Sequence, residues 1–285
     1  MTRRACIISG EGAKGSWQSA ILCSEGKAYD LMIGVSSGAL NAVGYSTLGQ
    51  DLQSLWDEAK SLTSGFGYNW KFLWDSGAFT AVPLMKRLTN HMVGKQFKYT
   101  TLFPSIHCPT GTLTFVTYDV GTVCQNTDIP IIASAGAIAG VVTAINGCVD
   151  GGFRTLCPIT MAIDDGCDEI DVVLGQDPFT PPSWPDPSKP KLFGPFYYGM
   201  SIVGTMLWQI MHNDIMYANE CNNGRANIRL IYPSADLGSP LAFKNCTKIS
   251  NLAVYPPTIK MLSDIPPAQP DLIRIARRWP NGRRV

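Results

Sequence analysis

The chain opens with one short unit written twice. An apolar run, Ala5 to Ile8, leads into Gly10-Glu11-Gly12-Ala13-Lys14-Gly15 and then into a helical stretch, Trp17 to Leu22. Leu31-Met32-Ile33 likewise leads into Gly34-Val35-Ser36-Ser37-Gly38 and a second helical stretch, Ala39 to Leu48. Strands alternating with helices through glycine turns imply a mainly parallel sheet with helices on both faces. The expected fold class is therefore α/β.

The remaining periodicities fit that frame. Asp51 to Leu62 and Val82 to Met92 read as amphipathic helices, with an aromatic loop from Gly65 to Phe79 between them. Leu113 to Val120 reads as a strand with Leu113, Phe115 and Val116 turned inward, and Ile170 to Leu174 as a buried strand. Pro130 to Ala144, small and apolar, reads as a helix packed on the sheet, and Val149-Asp150-Gly151-Gly152 as a strand end and turn. The expected organisation is one domain over 1–285, with the chemistry-bearing motifs inside 1–175. Residues 176–195 form a proline-rich loop or lid, since Asp177 to Pro195 holds seven prolines. Residues 196–285, a helix and a basic tail, carry no assignment. Between Lys191 and Asp214 no side chain is charged, but Gly, Ser and Thr dilute the stretch. A stripe through Met200, Val203, Leu207 and Met211 predicts a buried or interfacial helix rather than a membrane span. The tail, with Arg274, Arg277, Arg278, Arg283 and Arg284 against Asp271, reads as a solvated basic segment, anionic-lipid contact being the competing reading.

Composition removes several classes. Hydrophobic residues are 45% of 285, and 23 Lys and Arg nearly cancel 22 Asp and Glu, which disfavours both disorder and a nucleic-acid-coating role. Nine scattered cysteines, never spaced Cys-x-x-Cys, resemble neither a disulfide framework nor a zinc site and suit a reducing compartment. The apolar run after Arg4 is too short for a secretory signal, so a cytoplasmic location is expected.

Gly10-x-Gly12-x-x-Gly15 alone would also serve a dinucleotide, but Asp30 precedes the second strand, at the wrong end of the sheet for a ribose-binding acid. Lys14 precedes Gly15, which breaks the P-loop pattern. Gly34-x-Ser36-x-Gly38 between a buried strand and a helix is the context a nucleophile elbow requires, because small neighbours relieve a strained turn that lifts the serine above the sheet. Ser36 is the central residue, and Ser37 is placed to offer its backbone N–H to an oxyanion. A serine hydroxyl needs a base. His91, His107 and His212 do not fall where a late catalytic histidine belongs, which leaves a carboxylate, and Asp150 before Gly151-Gly152 stands out.

Four blocks together resemble the patatin-like phospholipases: Ile8 to Gly15, Gly34 to Ala42, Ala133 to Ile138, and Asp150-Gly151-Gly152, in that family's order. The resemblance implies the patatin-like three-layer fold and a Ser36–Asp150 catalytic dyad without histidine. It implies an oxyanion hole from Gly10, Glu11, Gly12 and Ser37, with Gly15, Gly34, Gly38, Gly151 and Gly152 supporting the turns. It also implies a phospholipid or lysophospholipid substrate, hydrolysis through an acyl-enzyme, peripheral contact with a membrane surface, and neither metal nor other cofactor. Oligomeric state is left open. Two positions depart from the pattern. Glu11 stands where the family usually has glycine, with its side chain expected toward solvent, and Ala139 stands where proline is common. Lys14 reads as a helix-start charge near the site or a solvated lysine. The alternatives are a weak or inactive patatin-fold binding or assembly protein and, less favoured, a dinucleotide-binding oxidoreductase.

Overall fold

The first strand shows why the fold has three layers. In β1 (Arg4–Ile8), Ala5 and Ile7 pack into one hydrophobic core while Cys6 and Ile8 pack into another, so the strand is buried on both faces. The structure, a computed structural model, describes residues 2–58, 67–69, 77–138, 140–182, 194–239 and 243–266.

After the first glycine turn, α1 (Gly15–Glu25) returns the chain to β2 (Leu31–Gly34), which runs parallel to β1 with Gly34 beside Ile8. Then come α2 (Ser37–Leu48), the short α3 (Gln53–Asp57), and two small strands, β3 (Gly67–Tyr68) and β4 (Gly77–Thr80). Next is α4 (Val82–Met92), which carries Pro83 in its first turn and buries Leu84, Leu88 and Met92 at every fourth position. It leads to β5 (Thr100–His107), β6 (Thr112–Tyr118), α5 (Asp128–Ser134), β7 (Gly140–Val142) and β8 (Cys148–Asp150). The chain closes with α6 (Ile159–Asp164), β9 (Glu169–Val173), α7 (Gly194–Asn222), β10 (Asn227–Tyr232), α8 (Cys246–Asn251) and β11 (Thr258–Met261).

The central sheet runs β11-β10-β9-β1-β2-β5-β6, with β8 also paired to β5. Its five inner strands are parallel, and β6, β8 and β11 are antiparallel. Side chains of α1, α2, α4, α5 and α8 fill one core; those of α6 and α7 fill the other. This is the expected three-layer α/β arrangement, and β10 and β11 show that chain beyond residue 196 completes the same sheet. Among the described residues, no helix is long and apolar enough to cross a membrane. In α7, Met211, Ile215 and Ala218 are buried against the sheet. All nine cysteines are free thiols.

Several expectations are corrected. The helix expected from Pro130 to Ala144 ends at Ser134, and the β-branched pair Val141 and Val142 turns the following segment into β7, beside β4. The loop expected from Gly65 to Phe79 contains β3 and the start of β4 within its described part. Only Gln53–Asp57 of the expected 51–62 stretch is α-helix, preceded by a 3-10 turn, and 59–62 lie outside the described residues. In β6, Leu113, Phe115 and Val116 are half-buried and Tyr118 is the buried residue. β5 was not expected, because Pro104 interrupts it; the proline falls in a gap between the end of pairing with β2 at Leu102 and the start of pairing with β8 at Ser105. Residues 183–193 of the proline-rich loop, Ala139 and the basic tail lie outside the described residues.

Candidate active site

The register of the sheet brings Ser36 and Asp150 together. Ile33 pairs with Leu102 and β2 ends at Gly34, whereas β5 continues and pairs Ser105 with Asp150 of antiparallel β8. Counting on from Ile33, position 36 falls level with Ser105, where β8 delivers the carboxylate. The Asp150 N–H donates to Ala137 O at 3.0 Å, so the small-residue run after α5 holds the end of β8.

The elbow itself is strained and tightly enclosed. Ser36 has φ 54° and ψ −125°, a left-handed conformation that costs a non-glycine residue about 1–3 kcal/mol. Side chains are sterically forbidden around it. A Cβ on Gly34 would overlap the Gly38 carbonyl, one on Gly38 would overlap the Ile8 carbonyl, and one on Gly10 would lie 2.5 Å from Ser36 Cβ. Val35 N–H donates to Ile8 O at 3.0 Å and Gly38 N–H to Val35 O at 2.7 Å, which fixes the turn on β1. The first glycine after Asp150 is similarly constrained, since a Cβ on Gly151 would meet Pro104 at 2.5 Å, whereas one on Gly152 would come no closer than 3.1 Å to its neighbours.

Asp150 is 3% exposed and Ser36 7%. Burial pushes the Asp150 carboxyl up to about 6, against the opposing influence of the nearby Ser36 hydroxyl and of the Gly152 N–H, which donates to Oδ1 at 2.8 Å. None of the three histidines is hydrogen-bonded to Ser36. His91 Nε2 lies 2.9 Å from Glu58 Oε1, His107 Nδ1 contacts Thr110, and His212 Nδ1 contacts the Pro178 carbonyl while stacking on Trp208.

Residues 7–163, just over half of the chain, match the family model for patatin-like phospholipase, a span that contains the first glycine turn, Ser36 and Asp150. The chain belongs to the patatin-like phospholipase family. Membership makes it, at family level, a lipid acyl hydrolase. No curated protein matches the chain.

In this patatin-like phospholipase the first glycine turn lies against the elbow, and two of its side chains are not where the sequence suggested. Glu11 is 7% exposed rather than solvent-facing. Its Oε1 accepts from Ser9 Oγ at 2.7 Å and from Gly175 N at 2.9 Å. Its Oε2 accepts no hydrogen bond among the described residues and lies 3.9 Å from Lys14 Nζ. Lys14 is not a solvated lysine: it is 5% exposed and donates to Gln176 Oε1 at 2.9 Å. Burial of the pair is compensated by these bonds to the chain just after β9.

The expected oxyanion donors divide. The Glu11 N–H is taken by Ser37 Oγ at 3.0 Å. Among the described residues the N–H groups of Gly10, Gly12 and Ser37 have no hydrogen-bond acceptor. Gly12 has φ +57°, the left-handed backbone for which glycine is suited. Gly15 lets Trp56 pack close; Trp56 Nε1 donates to Asn41 Oδ1 at 2.7 Å and Asn41 Nδ2 to Gly15 O at 2.9 Å, tying the turn to α2. Asp30 accepts from the Arg4 N–H at the opposite end of β1, so it has no place at this site.

Asp214 of α7 escaped sequence reasoning. Its Oδ2 accepts from Thr155 Oγ1 at 3.0 Å, Leu156 N at 2.8 Å and Cys157 N at 2.9 Å, and burial raises its carboxyl above the usual range against those three bonds. It thereby pins the loop whose Leu156 side chain packs beside Gly10 and Gly152. The only signal was an acid closing a long uncharged helical stretch.

Proposed function

We propose that this protein is a serine lipid acyl hydrolase of phospholipase A or lysophospholipase type, working through a Ser36–Asp150 dyad. The observation that carries the reading is the strained elbow that holds Ser36 where the sheet register delivers a buried Asp150, whose carboxyl feels the Ser36 hydroxyl, with no histidine joined to them. Asp150 takes the hydroxyl proton as Ser36 Oγ attacks the ester carbonyl carbon. The tetrahedral oxyanion is received by N–H groups of Gly10, Gly12 and Ser37. Each such donor contributes about 2.7–4 kcal/mol in comparable hydrolases. The carbonyl re-forms, the alcohol leaves with the proton from Asp150, and the acyl group stays on Ser36. Water then attacks the acyl-enzyme, gives its proton to Asp150, and the fatty acid departs as Ser36 is reprotonated. Burial favours this role: a carboxylate in a dry site is a stronger base than one in water.

The test is fatty-acid release from mixed phosphatidylcholine and lysophosphatidylcholine vesicles. The wild type is expected to release fatty acid, and Ser36→Ala and Asp150→Asn to fall by roughly 10³-fold or more, since members of a catalytic unit fail together. Equal release by wild type and both variants would overturn the dyad, and release by none of them would favour a patatin-fold binding protein.

A further inference from the structure

The edge of the sheet that carries Ser36 also carries an exposed apolar and cationic surface. Gly34 pairs with Ile8, Ile8 with Val173, Val173 with Ile231, and Ile231 with Ile259, a row that crosses the sheet at one level. Because β11 is antiparallel to β10, the residues that precede Thr258 emerge at the edge where Ser36 follows Gly34. Four strand spacings separate β2 from β11, which is roughly 19 Å.

At this edge Val254 is 81% exposed and Tyr255 62%, with Pro256 exposed beside them. Next to them is a half-open, mostly apolar cavity of about 300 Å³ lined by Trp17, Pro233, Leu237, Leu252, Tyr255 and Pro256. Its surroundings carry exposed lysines and one acid, Asp236, which lies exposed in the loop that lines it. Lys244 and Lys248 are exposed and no Asp or Glu occurs from 243 to 263, while the Lys260 ammonium on β11 is turned to the Phe179 ring instead. A second exposed apolar pair, Ile202 and Met206 on α7, has no such setting, since no Lys or Arg occurs from 192 to 224.

We propose that this edge docks on an anionic lipid surface, with Val254 and Tyr255 entering the headgroup and acyl boundary and Lys244 and Lys248 against anionic headgroups. The inference rests on the reading that the substrate is a membrane lipid, and it brings the bilayer over the edge that holds Ser36. Apolar side chains at the interface and lysines near anionic lipid contribute separately, so the two halves of the surface have separable signatures.

The experiment uses full-length protein carrying Ser36→Ala, so that vesicles stay intact, in cosedimentation with phosphatidylcholine vesicles and with phosphatidylcholine–phosphatidylglycerol vesicles. Binding is expected to the mixed vesicles and to weaken with salt. Val254→Ser with Tyr255→Ser is expected to lower partitioning about tenfold, and Lys244→Gln with Lys248→Gln to remove most of the preference for phosphatidylglycerol. Unchanged thermal unfolding of these surface variants confirms that they fold. Undiminished binding by both double variants, or no vesicle binding by the parent, overturns the proposal. So does light scattering that shows a dimer dissolved by the Val254 and Tyr255 changes, which assigns the surface to a second copy. Hydrolysis of a water-soluble short-chain ester by the Ser36 protein, in parallel, reports on the catalytic reading alone. Its failure and the failure of docking are therefore told apart.

Discussion

The two glycine turns lie side by side yet are held by different physics. The elbow at Gly34 to Gly38 is enforced by backbone contact: Gly34 and Gly38 have no room for a Cβ, and strain sits on Ser36. The turn at Gly10 to Gly15 is enforced by buried charge, since Glu11 and Lys14 reach across to Gly175 and Gln176 after β9. A turn built on steric exclusion depends on its own glycines. A turn built on a buried carboxylate depends on chain more than 160 residues away.

That difference is open to attack from each side. The largest effect is expected at the elbow: Gly38→Ala places a methyl in the carbonyl groups of Ile8 and Ser9 and should destabilise by about 3–5 kcal/mol in chemical denaturation, with activity lost. Glu11→Ala strands Lys14 and the Gly175 N–H in a buried site and should cost about 3 kcal/mol in the same measurement. Adding Lys14→Met to Glu11→Ala should recover part of that loss, because an unpaired buried charge is the main penalty. No single partner substitution of this kind can rescue Gly38→Ala.

Asp150 gives an effect of opposite sign on stability. Its folded-state carboxyl, raised from 3.8 to about 6, holds a proton more tightly than the unfolded chain does. Stability is therefore fully present below about pH 4, falls as pH rises toward 6, and stays reduced above it. Asp150→Asn should remove that penalty, worth up to about 3 kcal/mol near neutral pH, while abolishing hydrolysis. Thermal unfolding of both proteins across this range checks it. A smaller effect is expected for Asp214→Asn, which weakens three bonds to the 155–157 loop without emptying the position: about 1 kcal/mol, with a severalfold fall in kcat. His91→Ala should leave kcat within about twofold, as a histidine bonded to Glu58 has no proton to exchange with Ser36.

Legibility in the sequence follows the same division. Ser36 was readable because strand, glycine turn and helix are contiguous, and the constraint on Gly34 and Gly38 is local. β1, β2, α4 and β9 were readable from period and apolar runs. Asp150 was readable as a carboxylate before two glycines, but its pairing with Ser36 comes from the β5 register, which Pro104 concealed. The orientations of Glu11 and Lys14 were not readable, because Gly175 and Gln176 become their neighbours only when β9 pairs with β1. Asp214 was hidden for the same reason: its three donors are more than 50 residues earlier in the chain. The strands β10 and β11 lack a glycine turn that announces a parallel unit, and their place at the sheet edge is set by pairing alone.

The central claim is that Asp150 activates Ser36. The most direct measurement is the rate at which a fluorophosphonate modifies the protein, followed by intact mass and peptide mapping from well below to well above pH 6, in wild type and Asp150→Asn. The account predicts a single adduct on Ser36 whose rate rises through about pH 6, as the Asp150 carboxyl ionises, and which is nearly absent in the variant. An adduct elsewhere, or an Asp150→Asn protein labelled at the wild-type rate, would contradict it.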